Sequence, residues 1–151
     1  MILFLDFDGV LHPQTPRRDL SDAENRLFSY LPRLEAVLRD FPQWRIVISS
    51  SWREGRPWKN VISAFSADIA LRIAGGTPVL QRKEPPYPKH PRFDEIGLYL
   101  AAQGEQGVPW LALDDEVRLF PPGCPHLILC ADGFHQAEED ALRARLRGRA
   151  P

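Results

Sequence analysis

Short apolar runs punctuate the chain at Met1–Leu5, Ile46–Ile48, Trp110–Leu113 and His126–Cys130. Each is bounded by charged, proline or turn-forming residues and is too short for a buried helix. They read as strands of a parallel sheet buried on both faces. Between them apolar residues recur at helical spacing. Leu34, Val37, Leu38 and Phe41 predict a helix that starts near Leu31, carries Pro32 in its first turn and ends at Pro42. Trp58, Val61, Ile62 and Phe65 predict a second over Pro57–Phe65, and Ile96, Tyr99 and Leu100 a third over Phe93–Gln103. A last helix over Gln136–Arg147 packs through Leu142 and Leu146. Its acids Glu138, Glu139 and Asp140 lie near the start and Arg143, Arg145 and Arg147 near the end, as the helix dipole favours. Ser21 and Glu24 have capping-box spacing and predict a helical turn. Ile69–Ile73 fits either a helix or a strand, closed by Gly75-Gly76-Thr77-Pro78. Val79–Pro91 is a proline-rich, basic loop.

Strands alternating with helices predict an α/β fold: a three-layer α/β/α sandwich around a mostly parallel, Rossmann-like sheet. Such sheets bind ligands at the carboxyl ends of their strands, and three strand ends here carry chemistry. The first ends in Asp6-Phe7-Asp8-Gly9, the second in Ser49-Ser50-Ser51, and the Trp110 strand in Asp114-Asp115. Alternation along the first strand puts Asp6 and Asp8 on one side and Phe7 on the other. Two carboxylates at the end of a buried strand are electrostatically expensive unless a cation or a proton compensates them.

Composition narrows the picture. A length of 151 residues fits one domain, 1–151, with a substantial core. A net charge of −1 gives no global basic field, so tight stand-alone nucleic-acid binding is not expected. Oligomeric state is left open. No apolar run approaches 18 residues, and Met1 stands directly on the first strand, so no membrane span or leader is expected and the location is taken as cytoplasmic. Cys124 and Cys130 lack CxxC spacing and read as free thiols. His90, His126 and His135 lack metal-ligand spacing.

Carboxylates from two strand ends converging on one point make an all-oxygen site that suits Mg²⁺, a hard cation often shared with a phosphate ligand. Phosphoryl transfer needs mainly positioning and charge stabilisation. Asp6 can attack phosphorus to give an aspartyl phosphate, and Asp8 can protonate the leaving oxygen and later deprotonate the hydrolytic water.

The stretch Phe4-Leu5-Asp6-Phe7-Asp8-Gly9-Val10-Leu11 resembles the first motif of the haloacid-dehalogenase-like (HAD) phosphohydrolases. Ile46–Ser50 resembles their second, and Leu111-Ala112-Leu113-Asp114-Asp115 their fourth. Asp-Gly-Val-Leu-His together with Ser-Ser-Trp-Arg and Leu-Asp-Asp further resembles the small branch found in Swiss Army Knife RNA-repair proteins. The resemblance implies a phosphatase with Asp6 as nucleophile, Asp8 as general acid/base, and Mg²⁺ held by Asp6, the Asp8 carbonyl and Asp114, with or without Asp115. It also implies a serine on the phosphoryl oxygens, Ser50 in preference to Ser49, and a basic third-motif residue. Lys83, Lys89 and Arg92 are candidates for the latter; Lys89 is preferred, then Arg92. Phe7, Gly9, Ser49, Ser51, Arg53 and Arg92 are the remaining candidate substrate contacts, Gly9 because a bare backbone can approach phosphate closely. His12 reads either as lining the substrate entrance or as a loop residue. Trp52 could stack on a base but reads more readily as core.

About 40 residues separate Asp8 from Ser50 and about 38 separate Ser50 from Lys89, against a typical domain minimum of about 50. The chain is therefore expected to be capless, or to carry at most a small helical flap from Arg53 to Thr77. An open site favours a large phosphate ester, and the RNA-repair resemblance favours a nucleic-acid end or nucleotide. The alternative is a non-catalytic module of the same fold that binds a phosphorylated partner; intact Asp6, Asp8 and Asp114 argue against it. Dehalogenation is disfavoured because Asp8 supplies the acid that a phosphate ester's leaving group needs.

Overall fold

Strand β1 (Ile2–Leu5) occupies the centre of a sheet because every one of its side chains is apolar and can be buried on either face; all four are fully buried. A computed structural model describes residues 1–80 and 87–148. Its five strands are β1, β2 (Arg45–Ile48), β3 (Ile73–Gly76), β4 (Trp110–Asp114) and β5 (Leu127–Leu129). They lie in the order β3-β2-β1-β4-β5, and every pairing is parallel. The helices are α1 (Leu31–Asp40), α2 (Trp58–Ile62), α3 (Ala67–Ala70), α4 (Pro91–Ala102) and α5 (Gln136–Arg147).

Alternation along the strands divides the core in two. Leu3, Leu5, Ile46, Ile48, Leu111 and Leu113 face one layer, where they meet Leu34, Val37 and Leu38 of α1 and Leu142 and Leu146 of α5. Ile2, Phe4, Val47 and Ala112 face the other, against Ile96, Tyr99 and Leu100 of α4. Phe4 makes edge contacts with Tyr99 and Trp110 at centroid distances of 5.7 and 5.6 Å, geometry that aromatic quadrupoles favour. The architecture is the expected three-layer α/β sandwich, with a sheet that is all parallel rather than mostly so.

After β1 the chain winds to one side of it through β2 and β3, then crosses to the other side for β4 and β5. The order reverses between β1 and β4, which makes the gap between their carboxyl ends the natural ligand crevice. Asp6 N–H donates to the Leu113 carbonyl at 3.0 Å, extending the ladder one residue past β1. Asp6 is thereby set beside Asp114.

Several elements depart from the sequence reading. Helix α4 starts at Pro91, not Phe93, with the proline in its first turn where no N–H is needed. Ile69–Ile73 is neither wholly helix nor wholly strand: α3 ends at Ala70, and Ile73 opens β3, which incorporates Gly75 and Gly76. The helix expected over Pro57–Phe65 is the shorter α2, and Trp58 is exposed rather than inward-facing. Arg53–Thr77 is no flap, because Val61, Phe65 and Ile69 are buried in the core and β3 forms a sheet edge. Ser21 and Glu24 do exchange reciprocal capping bonds at 2.9 and 3.3 Å, but the segment stays in turns. Cys124 and Cys130 are free. Among the described residues no helix is long and apolar enough to cross a membrane.

Candidate active site

Asp6, Asp114 and Asp115 converge at the crevice, each offering a carboxylate oxygen within 4.8 Å of the others. Asp6 and Asp114 are buried and Asp115 is half-buried. Burial pushes the Asp6 carboxyl up to about 6 against the pull of the Arg92 charge. Burial, then the neighbouring Asp6 charge, pushes Asp114 up to about 7, and burial likewise raises Asp115. Asp114 is held from both sides: Glu116 N–H donates to Oδ1 at 2.9 Å and Arg92 Nε to Oδ2 at 3.2 Å. The Glu116 side chain turns away to Arg118, which holds it down at about 2.

Arg92 is the cation of the site. Beyond Asp114, it lies 3.8 Å from Asp6 Oδ1 and 3.4 Å from Glu95 Oε2, one turn along α4. Glu95 also pairs with Arg53 at 2.7 Å. Arg53 in turn donates to the carbonyls of Thr77, Pro78 and Ser50, the last at 2.6 Å. The chain of charges Arg53–Glu95–Arg92–Asp114 therefore ties the second strand end to the fourth. With every carboxyl ionised, Asp6, Asp114, Asp115 and Glu95 against Arg92 and Arg53 leave a formal charge of −2. A divalent cation would cancel it, and a hard one suits an all-oxygen donor set. The residues present fit Mg²⁺ on both counts.

Asp8 lies outside this three-carboxylate group, although its charge adds to the upward push on Asp115. Its side chain is one-third exposed and receives Trp52 Nε1–H at 3.0 Å on both oxygens and His12 Nε2 at 3.0 Å on Oδ1. Gly9 adopts φ +72°, and a Cβ there would overlap the Asp115 carboxylate. The backbone's close approach at Gly9 is thus to an acid of the site itself.

The structure brings Asp6, Asp114, Asp115, Arg92 and Ser50 together. The buried Ser50 hydroxyl is near enough to the Asp6 carboxylate to favour its ionised form, and it accepts from Trp52 N–H at 3.3 Å. Ser49 is buried too, but its hydroxyl has no partner among the described residues, and Ser51 is exposed. Three expectations need correction. Arg92, not Lys89, reaches the carboxylates; Lys89 is exposed beside a groove with His90, Val117, Arg118, Phe120 and Pro122. Phe7 is fully buried against Phe28, Trp52 and Phe65, so its side chain meets core rather than substrate. Arg53 spends its donors on Glu95 and three carbonyls and acts as a strut. Lys83 lies outside the described residues. Sequence reasoning missed Glu95 and the Trp52 contact with Asp8. Glu95 had a signal, its helical spacing from Arg92; the indole contact joins residues 44 apart and had none.

The HAD domain of Swiss Army Knife RNA repair proteins matches residues 2–138. The chain belongs to that family. No curated protein matches it. In this HAD domain the matched span takes in all three strand ends, with Asp6, Ser50 and Asp114 drawn from β1, β2 and β4 of one sheet.

Proposed function

We propose that this HAD domain is a Mg²⁺-dependent phosphoric monoester hydrolase that works through an aspartyl phosphate on Asp6. The observation that carries the reading is the convergence of three carboxylates on one point beside the buried Arg92 guanidinium, at the switch point of the sheet. Mg²⁺ held by Asp6, the Asp8 carbonyl, Asp114 and Asp115 would supply charge neutralisation, letting an anionic phosphate approach an anionic nucleophile. Arg92 orients Asp6 and Asp114 and offsets the charge that builds up at the site. Ser50 positions the Asp6 oxygens and is the preferred contact for the phosphoryl group. Asp8 carries the proton to the leaving oxygen and later takes one from water.

The substrate class favoured is a large or open-access phosphate ester such as a nucleic-acid end or nucleotide. The family's association with RNA repair and the absence of a folded cap among the described residues support it. Purified protein with Mg²⁺ and p-nitrophenyl phosphate is expected to turn over. Asp6→Asn is expected to reduce that turnover by at least about a thousandfold, as loss of a covalent nucleophile does. Unchanged turnover in that variant would remove the mechanism.

A further inference from the structure

Asp8 is gripped by two ring nitrogens in a way that no other carboxylate of the site is; an ionised carboxylate only accepts, which assigns the His12 proton facing it to Nε2. Trp52 donates Nε1–H to both oxygens and His12 Nε2 lies against Oδ1 alone. The grip is itself rigid. The indole makes edge contacts with Phe7, Phe28 and His12 at 5.2 to 5.8 Å, and the Arg56 guanidinium sits 4.0 Å over its face. His12 is 3% exposed, and its Nδ1 is buried with no hydrogen-bond partner among the described residues. A buried imidazole that leaves one nitrogen unpaired carries a desolvation cost that only the bond at its other nitrogen offsets. Among the described residues the one side-chain polar partner of this ring is Asp8.

We propose that Trp52 and His12 are positioning residues for Asp8 that adapt this site to alkyl phosphate esters, whose alkoxide leaving groups depart poorly without a proton. The proposal rests on the phosphohydrolase reading above. The oxygens of Asp8 are unequal: Oδ1 accepts from both rings, whereas Oδ2 shares only the indole N–H. Oδ2 is therefore the oxygen with a lone pair left to carry the proton. In the first step an Asp6 oxygen forms the new bond to phosphorus and the ester P–O bond breaks. Its electron pair leaves on the ester oxygen, which takes the proton from Asp8 Oδ2. Negative charge grows on Asp8 as that happens, and both ring N–H bonds become charge-assisted. Their stabilisation is realised in the transition state, and only to the extent that the leaving group needs the proton. An aryl ester such as p-nitrophenyl phosphate, which leaves readily as the anion, draws on it little.

The test compares kcat/KM for p-nitrophenyl phosphate and for glycerol phosphate, because that ratio reports the step in which the ester bond breaks. Trp52→Phe keeps the ring and removes the N–H; His12→Leu removes the imidazole. Each is expected to depress the glycerol phosphate value about tenfold more than the p-nitrophenyl phosphate value. His12→Gln, which restores an N–H donor, is expected to recover most of the difference. Equal losses on both esters, or no loss on either, would overturn the proposal. A second measurement needs no turnover. Of the four tryptophan indole N–H resonances, the one that Trp52→Phe deletes is expected to move in Asp8→Asn; an unmoved resonance would overturn the grip directly. Activity surviving in Asp6→Asn would instead count against the phosphohydrolase reading, while the indole resonance would still report on Asp8.

Discussion

Asp6 and Asp8 stand two residues apart at the end of one strand, and their surroundings are opposite. Asp6 is buried among like charges and balanced by one guanidinium, so its ionised form is under strain until a cation arrives. Asp8 is partly exposed and met by two ring N–H groups, with no carboxylate neighbour among its hydrogen-bond partners. The first environment suits a nucleophile that must share its site with metal and phosphate. The second suits a group that must gain and lose a proton while holding still. On the proposed mechanism the two carboxylates take two tasks according to their environments, as paired acids do where acid and nucleophile roles are divided.

The contrast is most easily broken at Arg92. Arg92→Ala leaves Asp6, Asp114 and Glu95 buried with an unbalanced partner set, and is expected to destabilise the fold by about 3–5 kcal/mol, read from denaturant midpoints. Lys89→Ala, on an exposed side chain, is expected to stay within about 0.5 kcal/mol of the parent. Comparable losses from both would return Lys89 to the site.

The strain on the Asp6 side has a sign that can be checked. Asp6 and Asp114 titrate near 6 and near 7 in the fold, against 3.8 as the ordinary aspartate value that the unfolded chain should show. Between those limits the folded chain holds protons that the unfolded chain has released. Metal-free stability is therefore expected to fall as pH rises from about 4 to about 7. Mg²⁺ bound at the proposed site would displace those protons, so the rise in melting temperature that it produces should be small at pH 5 and large at pH 8. Asp114→Asn should be more stable than the parent without metal and lose the response to Mg²⁺. A metal response independent of pH, or surviving in Asp114→Asn, would contradict the charge assignment.

At Gly9 a smaller loss than at Arg92 is expected. Gly9→Ala meets both an unfavourable φ and the Asp115 carboxylate. A loss of about 1–2 kcal/mol is expected, with weakened Mg²⁺ affinity measured by calorimetry. Weakened stability with unaltered affinity would remove Asp115 from the metal set.

Most of the frame could be read from residues, because its signals are local. A run such as Ile2–Leu5 has one economical fate, and Asp6, the serine cluster Ser49–Ser51 and Asp114 follow from where such runs stop. Helix α5 matched its expected bounds because charge order and apolar spacing agree along its length. What escaped is what packing decides. Phe7 lies opposite the acids in either reading, but only the neighbours Phe28, Trp52 and Phe65 make that side core. Arg53 looked free beside the serines until Glu95 and the Pro78 carbonyl claimed it. The preference for Lys89 over Arg92 rests on the family resemblance, which implies a lysine just before a helix, and that helix is expected to start at Phe93. Pro91, a residue well suited to the first turn, marked the true start and set Arg92 on the inward face.

The division of labour between the two acids is tested most directly by asking where the phosphoryl group goes. Protein quenched in acid during turnover of a labelled phosphate ester is expected to carry the label on the peptide containing Asp6, to lose it in Asp6→Asn, and to retain it longer in Asp8→Asn, where hydrolysis of the intermediate is impaired. Label on another residue, or undiminished label in Asp6→Asn, would contradict the assignment of Asp6 as the nucleophile.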